Sequence, residues 1–109
     1  MVKNMKLVYH NKEILLIECK SFWERFRGFM MQRNIKHSLL FNRCNSIHTF
    51  FMKEAIDVIL CNQENVILYY YHALKPNHII WPKHGVSKVY ELPVGFFDIQ
   101  LQDKLEVKK

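Results

Sequence analysis

The sequence predicts a mainly β protein, built as a β-sandwich or a small, jelly-roll-like barrel with one short helix near residues 21–28. Three observations lead to this prediction. Short apolar runs rich in β-forming residues recur along the chain, polar turn sequences separate them, and one stretch carries a clear helix-start signal. The 109 residues are half apolar, so we expect a single domain over residues 1–109 that buries its own core.

The first part of the chain predicts a β-hairpin and, further on, another strand. Apolar runs at residues 7–9 and 14–19 flank a polar turn at residues 10–13, where asparagine and lysine suit a tight connection. Residues 38–41 form the next short apolar run, and turn-forming residues follow it. We therefore expect two paired strands and a third strand in this region.

A helix is predicted between the hairpin and the third strand. Ser21 and Glu24 have the spacing of a capping box, in which both side chains accept hydrogen bonds from backbone N–H groups. Gly28 is placed to end the helix, because glycine adopts left-handed backbone angles at little cost. The helix is therefore expected to be short.

The central segment, residues 44–60, carries the most specific pattern in the chain. Residues 47–52 alternate between two faces and predict a strand, Lys53 and Glu54 mark a break, and residues 56–61 predict a second strand. Asp57 lies inside this otherwise apolar second run. A charged residue in such a run indicates either a structural partner or a site.

The last part of the chain predicts strands joined by polar turns and one long loop. A polar turn at residues 62–65 leads into a strand over residues 66–72. Two prolines and a glycine predict a loop over residues 75–85, because proline cannot donate a hydrogen bond inside a sheet. Further strands are expected at residues 86–92 and 104–107.

Composition and charge narrow the possible functions. Part of the net charge of +6 lies at the two termini and the interior basic residues form no block, which indicates a solvated surface more than a nucleic-acid-binding arm. Cys19, Cys44 and Cys61 are odd in number and widely spaced, as is typical of reduced cytosolic proteins. We see no secretory leader and no apolar run long enough to cross a bilayer. The expectation is a cytoplasmic protein with no membrane partner.

Several short motifs together resemble one known family. The motifs are RGFMM at 27–31, LLF at 39–41, CNSIHTFFM at 44–52, AIDVIL at 55–60, KP at 75–76 and YELPVG at 90–95. In this order and spacing they resemble the DUF192 family of small bacterial and archaeal proteins, over residues 19–105. The resemblance implies a compact, mostly β, barrel-like or jelly-roll-like domain. It implies no activity, because the biochemical function of the family is not established.

Polar residues inside apolar strands are the candidates for a site. Asp57 and Glu91 need partners if they are buried, because desolvating an unpaired carboxylate costs several kcal/mol. In one interpretation they form a pocket that binds a polar ligand or moves a proton. In the other they form a hydrogen-bonded link between helix and sheet, or lie on a solvated strand face. The candidate site residues are Arg27, His48, Asp57 and Glu91, lined by Phe50, Met52 and Trp81.

Other chemistries have weaker support in the sequence. A triad of Ser46, His48 and Asp57 lacks the glycines of a nucleophile elbow, and Cys44 is more simply explained as a packed cysteine than as a thiolate partner of His48. The six histidines and three cysteines show no metal-ligand spacing, so no metal and no cofactor are predicted. Strand alternation divides the tyrosines at 69–71 between two faces, which argues against a nucleic-acid stacking platform.

These observations predict a binding or accessory module with a polar pocket rather than an enzyme. Its partner would be an unidentified small molecule or a protein. The first alternative is a small enzyme that uses His48 with Asp57 or Glu91 as acid and base. The second is a weak nucleic-acid binder that acts through the basic surface. The sequence predicts no oligomeric state.

Overall fold

Short strands dominate the structure, a computed structural model that describes residues 5–109 apart from the side chain of Phe22. Within this range there are nine strands and one helix. They are β1 (Met5–Tyr9), β2 (Lys12–Glu18), α1 (Phe22–Arg27), β3 (Ser38–Asn42), β4 (Ile47–His48), β5 (Ile56–Cys61), β6 (Ile67–Leu74), β7 (Ile79–Ile80), β8 (Lys88–Leu92) and β9 (Glu106–Lys108). The prediction of a mainly β protein with one short helix near residues 21–28 is confirmed.

One curled sheet contains seven of the described strands, in the order β6-β5-β8-β3-β2-β1-β9. Its neighbours are antiparallel except β2 and β3, which run parallel because the segment containing α1 crosses between them. The two ends of the sheet approach each other where Val66, just before β6, forms a β-bridge with Lys104, just before β9. The sheet is therefore a half-barrel.

A separate two-stranded ribbon consists of β4 and β7. The strand predicted over residues 47–52 is shorter in the structure, because the chain turns after β4 and Phe51 has a φ of +62°. Buried Thr49 explains the turn, since its hydroxyl donates a hydrogen bond to the Lys75 carbonyl oxygen at 2.8 Å. The same contact holds the segment after Lys75 close to β4. As a result, β7 forms within the segment predicted as a loop, residues 75–85, and pairs with β4.

The sheet separates two hydrophobic clusters. The first cluster contains Ile59, Tyr90 and Leu92, together with residues of β1 and β2. The second cluster contains Val58 and Val89, and packs beneath the loop after α1 and the β4–β7 ribbon. Alternate residues of β5 and β8 therefore face different clusters, as the two-residue period of a strand requires.

The capping box predicted for α1 is present. The Ser21 hydroxyl accepts a hydrogen bond from the Glu24 backbone N–H at 3.1 Å, and Glu24 Oε1 accepts one from the Ser21 backbone N–H at 3.0 Å. Arg25 fixes the helix over the sheet by donating a hydrogen bond to the carbonyl oxygen of Asn42, at the end of β3. The helix ends at Gly28. Among residues 5–109, no helix has the length and apolar character needed to span a bilayer.

Candidate functional site

A cavity of about 410 Å³ lies between α1, the loop after it, β4 and the sheet. Most of its wall is aromatic or aliphatic, and a few polar groups project into it. The apolar lining residues are Phe26, Phe29, Phe41, Ile47, Phe50 and Met52. The other lining residues are Arg25, Arg27, Gly28, Cys44, Ser46, His48 and Glu91. We call this cavity the Glu91 pocket.

Glu91 is the buried acid of this pocket, with only 3% of its surface exposed. In the sheet it lies between Leu39 of β3 and Val58 of β5, so its neighbours on both sides are apolar. Its Oε1 makes no hydrogen bond to any residue that the structure describes. Burial raises the pKa of Glu91 to about 8, and the Phe29 backbone N–H offsets part of this rise. The carboxyl group therefore carries its proton at neutral pH.

Gly28 allows the backbone to pass close to the Glu91 carboxyl group. Its φ is +48°, in the region that favours glycine. A Cβ at this position would lie 3.2 Å from Glu91 Oε1 and 3.4 Å from Phe41 Cζ. The backbone at the end of α1 therefore packs against the Glu91 carboxyl group, and because residue 28 has no side chain the space next to this group stays open.

His48 lines the pocket from β4, between two aromatic rings. Its ring centroid is 5.3 Å from that of Phe26 and 5.1 Å from that of Phe50. His48 Nδ1 is 3.2 Å from the Phe50 backbone N–H, which can only donate a hydrogen bond. Nδ1 is therefore the acceptor, and the proton of the neutral imidazole is on Nε2.

Two arginines of α1 bring positive charge to the pocket. Arg25 is held by the backbone, since its guanidinium donates to the carbonyl oxygens of Asn42 and Arg43 at 2.7 and 3.3 Å. The Arg27 side chain is exposed, and its guanidinium forms no hydrogen bond or ion pair with residues of the described range. Arg27 is therefore free to contact a molecule in the pocket.

Asp57, which was predicted to lie with Glu91 in one cluster, lies on the opposite face of the sheet. Val58 is the residue of β5 that is in register with Glu91, whereas Asp57 is in register with Leu92. Because side chains alternate along a strand, Asp57 points towards the first cluster and Glu91 towards the second. The structure therefore corrects the predicted grouping, and it also separates Asp57 from Ser46 and His48 of the Glu91 pocket.

Asp57 has a complete set of hydrogen-bond partners. It accepts hydrogen bonds from the Tyr70 hydroxyl at 2.6 Å and from the backbone N–H groups of Ala73 and Gly95 at 2.8 and 2.9 Å. His72 Nδ1 lies 3.0 Å from Asp57 Oδ1, the oxygen that also accepts from Ala73. These bonds connect β5 to β6 and to the turn after β8. Asp57 therefore links strands of the sheet to a turn, rather than linking the helix to the sheet as one interpretation of the sequence predicted.

The remaining predicted residues divide between the pocket and the surface. The five predicted residues that line the pocket are Arg27, His48, Phe50, Met52 and Glu91. Trp81 follows β7, is 69% exposed and does not line the pocket. Phe29 and Phe41 also line the pocket and were not predicted as wall residues, although they lie in the RGFMM and LLF motifs, respectively. Within residues 5–109, no three metal-ligating side chains come together.

The comparisons with known proteins identify the family. Residues 6–107 match the sequence pattern of DUF192, which is described as "Uncharacterized ACR". The chain belongs to the DUF192 family. The predicted resemblance is confirmed, and the DUF192 description assigns no activity to the pocket.

Archaeal proteins named UPF0127 are similar to this DUF192 chain. The Thermococcus sibiricus protein is 37% identical over 84 residues, which cover 72% of this chain and 54% of that protein. The Pyrococcus abyssi protein is 37% identical over 95 residues, which cover 79% and 80% of the two chains. The chain thus spans about half the length of its Thermococcus relatives.

Two crystal structures share the DUF192 fold seen here. A Sinorhizobium meliloti protein described as a proposed transcription regulator has a TM-score of 0.79 at 18% identity, covering 95% of this chain and 92% of its own. A Novosphingobium aromaticivorans protein of unknown function has a TM-score of 0.76 at 13% identity, covering 96% and 84%. At these identities the likeness shows the fold alone.

The Asp57 link predicts a large loss of stability when its charge is removed. We expect Asp57→Asn to lower the free energy of unfolding by about 3 kcal/mol, because a neutral amide replaces a buried carboxylate that accepts charge-assisted hydrogen bonds. Asp98→Asn is the matched control, since Asp98 is exposed near the same turn. Urea denaturation measures both. Equal stability of the two variants would contradict the structural role of Asp57.

The close approach at Gly28 predicts that a methyl group is poorly tolerated there. Gly28→Ala and Gly95→Ala both place alanine at positive φ, but no atom lies within 4 Å of the added methyl at Gly95. We therefore expect Gly28→Ala to lower the free energy of unfolding by roughly 1–3 kcal/mol more than Gly95→Ala. Thermal unfolding of the two variants tests this difference. Equal losses would mean that backbone strain alone matters at Gly28.

Proposed function

We propose that this DUF192 protein is a binding module whose Glu91 pocket receives a small, largely apolar molecule that hydrogen-bonds to Glu91. The observation that carries the proposal is Glu91 Oε1, which is buried in the pocket wall without a partner. An unsatisfied buried polar group costs about 1–3 kcal/mol. A ligand group that hydrogen-bonds to this carboxyl group would offset that cost.

The size and lining of the pocket support the same proposal. Its volume of about 410 Å³ lies within the range typical of small-molecule sites. Phe26, Phe29 and Phe41 offer flat apolar surface, and polar groups are few. Ligand sites commonly combine a mostly apolar wall with a small number of placed polar groups that fix orientation.

An enzyme that uses His48 and Glu91 as acid and base is the second candidate. Both side chains line the pocket, and the pKa of Glu91, raised to about 8 by burial, allows proton exchange near neutral pH. Asp57 does not take part in this candidate, because it lies on the other face of the sheet. His48 and Glu91 form no hydrogen bond with each other in the described structure, which favours binding over proton relay.

The state of the cysteines supports a cytoplasmic location. Cys19, Cys44 and Cys61 are all free thiols. Burial raises the pKa of Cys19 and Cys61 to about 12, so both remain protonated and unreactive. Free thiols persist in the reducing cytoplasm.

Removal of the Glu91 carboxyl group tests the binding proposal. We expect at least one compound in a thermal-shift screen of small apolar acids, amides, amines and alcohols to raise the Tm of the wild type. The same compound should not raise the Tm of Glu91→Met, which keeps the length of the side chain and loses its hydrogen-bonding group. Glu106→Met, on an exposed edge strand, is the control and should respond like the wild type.

The pKa of Glu91 predicts that Glu91→Met remains folded. In the native state Glu91 holds its proton up to about pH 8, whereas an ordinary glutamate releases it near pH 4.5. The stability that Glu91 contributes is therefore lost as the pH rises from 4.5 to 8, and the variant lacks this loss. Circular dichroism should show a folded variant at least as stable as the wild type at pH 7.

Two results of the thermal-shift screen would contradict the binding proposal. In the first, no compound raises the Tm of the wild type. In the second, oligonucleotides added to the screen raise the Tm of the wild type, Glu91→Met and Glu106→Met equally.

A further inference from the structure

Three polar side chains of the Glu91 pocket, those of His48, Arg27 and Glu91, can donate hydrogen bonds to a ligand. The Phe50 backbone N–H donates a hydrogen bond to Nδ1 of His48. The neutral ring therefore presents its own N–H at Nε2, on the opposite edge. Arg27 presents only N–H groups. A buried carboxyl group among Leu39 and Val58 is stable as the neutral acid, which offers an O–H. A molecule held by these groups must bring acceptors.

The charges around the pocket favour an anion. Arg25 and Arg27 project from α1, and Glu91 is the one acidic residue among the lining residues that the structure describes. While Glu91 is protonated, the pocket therefore has a positive local charge that attracts anions. The planar guanidinium of Arg27 matches the two oxygens of a carboxylate.

The rest of the pocket requires an apolar body on the ligand. Phe29, Phe41 and Met52 line the pocket and are buried. Phe26 and Phe50 are partly exposed, and they flank the imidazole of His48. An aromatic ring or a short branched alkyl chain would bury its surface against these side chains, which is worth roughly 25 cal/mol for each Å² removed from water.

We infer that the ligand of the Glu91 pocket is an apolar carboxylic acid, bound as its carboxylate by donors on Glu91, His48 and Arg27. This inference rests on the proposed binding function and specifies its ligand class. The apolar part lies against the phenylalanines, and the carboxylate lies against the donors. Two carboxyl groups can meet in this way only when one of them is protonated, because two adjacent charged carboxylates repel each other.

Binding of the carboxylate should therefore depend on the proton of Glu91. Burial raises the pKa of Glu91 to about 8, so most of the protein is binding-competent at pH 7 and about a tenth of it at pH 9. We expect the affinity for a carboxylate to be about tenfold weaker at pH 9 than at pH 7. The other charged or titratable groups that face Glu91 are Arg25, Arg27, Cys19, Cys44 and His48.

Glu91→Gln separates the proton of Glu91 from these other groups. The glutamine amide keeps an N–H donor at the same position and cannot ionise. This variant should bind the carboxylate, and it should lose the tenfold decrease between pH 7 and pH 9. Glu91→Met should not bind at either pH. A pH dependence that persists in Glu91→Gln would assign the effect to another group and overturn the proposed contact.

Three matched probes test the ligand class by isothermal titration calorimetry. Phenylacetate, phenylacetamide and phenethylamine share one apolar body and differ in their polar group, and hexanoate replaces the ring with an alkyl chain. We expect phenylacetate or hexanoate to bind the wild type at pH 7, and phenethylamine not to bind. Arg27→Gln should weaken this binding at least tenfold, whereas the control Arg33→Gln, at an exposed position outside the pocket, should not.

The possible outcomes distinguish this inference from the proposed function. If the amine or the amide binds wild type but not Glu91→Met, while neither acid binds, the pocket is a binding site and the inference about carboxylates is wrong. If the acids bind equally well to wild type and Glu91→Met, they bind elsewhere and the inference is also wrong. If no probe and no compound in the wider screen binds, both the inference and the binding function fail.

Discussion

The burial of an acidic side chain on an apolar strand face is the interaction on which the candidate site depends. Glu91 lies on β8 with Leu39 and Val58 beside it, and it has almost no exposed surface. The backbone at Gly28, rather than a cation, packs against the Glu91 carboxyl group. The acid is therefore kept neutral at pH 7 by desolvation, and one of its oxygens remains without a partner inside a pocket. The cap of α1 and the Arg25 contacts hold the helix in the position that leaves this space open.

The contrast between the two buried acids shows why one is structural and the other is a candidate for binding. Asp57 and Glu91 lie on neighbouring strands of one sheet but on opposite faces. Asp57 accepts hydrogen bonds from Tyr70, Ala73 and Gly95, so its desolvation is offset within the protein. No comparable donors surround Glu91 Oε1 among the described residues. A low-dielectric environment makes the satisfied group a strong link and the unsatisfied group a place where a ligand gains free energy.

Local sequence signals predicted the helix and most of the strands, and they predicted five of the residues that line the Glu91 pocket. The capping box of Ser21 and Glu24 and the alternating runs depend on neighbouring residues, so helix and strand positions followed from them. The register between β5 and β8 depends on residues 27 to 35 positions apart in the chain, and no local pattern encodes it. For this reason Asp57 was grouped with Glu91, although each was correctly placed within its own strand. The shortening of β4 has a similar cause, because it results from the distant contact between Thr49 and Lys75.

A pH titration of the Glu91 side chain measures the central claim most directly. In protein labelled with ¹³C at glutamate Cδ, the resonance that disappears in Glu91→Gln can be assigned to Glu91 and followed from pH 3 to pH 10 by nuclear magnetic resonance. A midpoint near pH 8 is the result expected for an acid held neutral by burial in an apolar pocket. A midpoint near pH 4.5 would contradict it, because the carboxyl group would then be solvated or paired and would not leave an unsatisfied oxygen for a ligand.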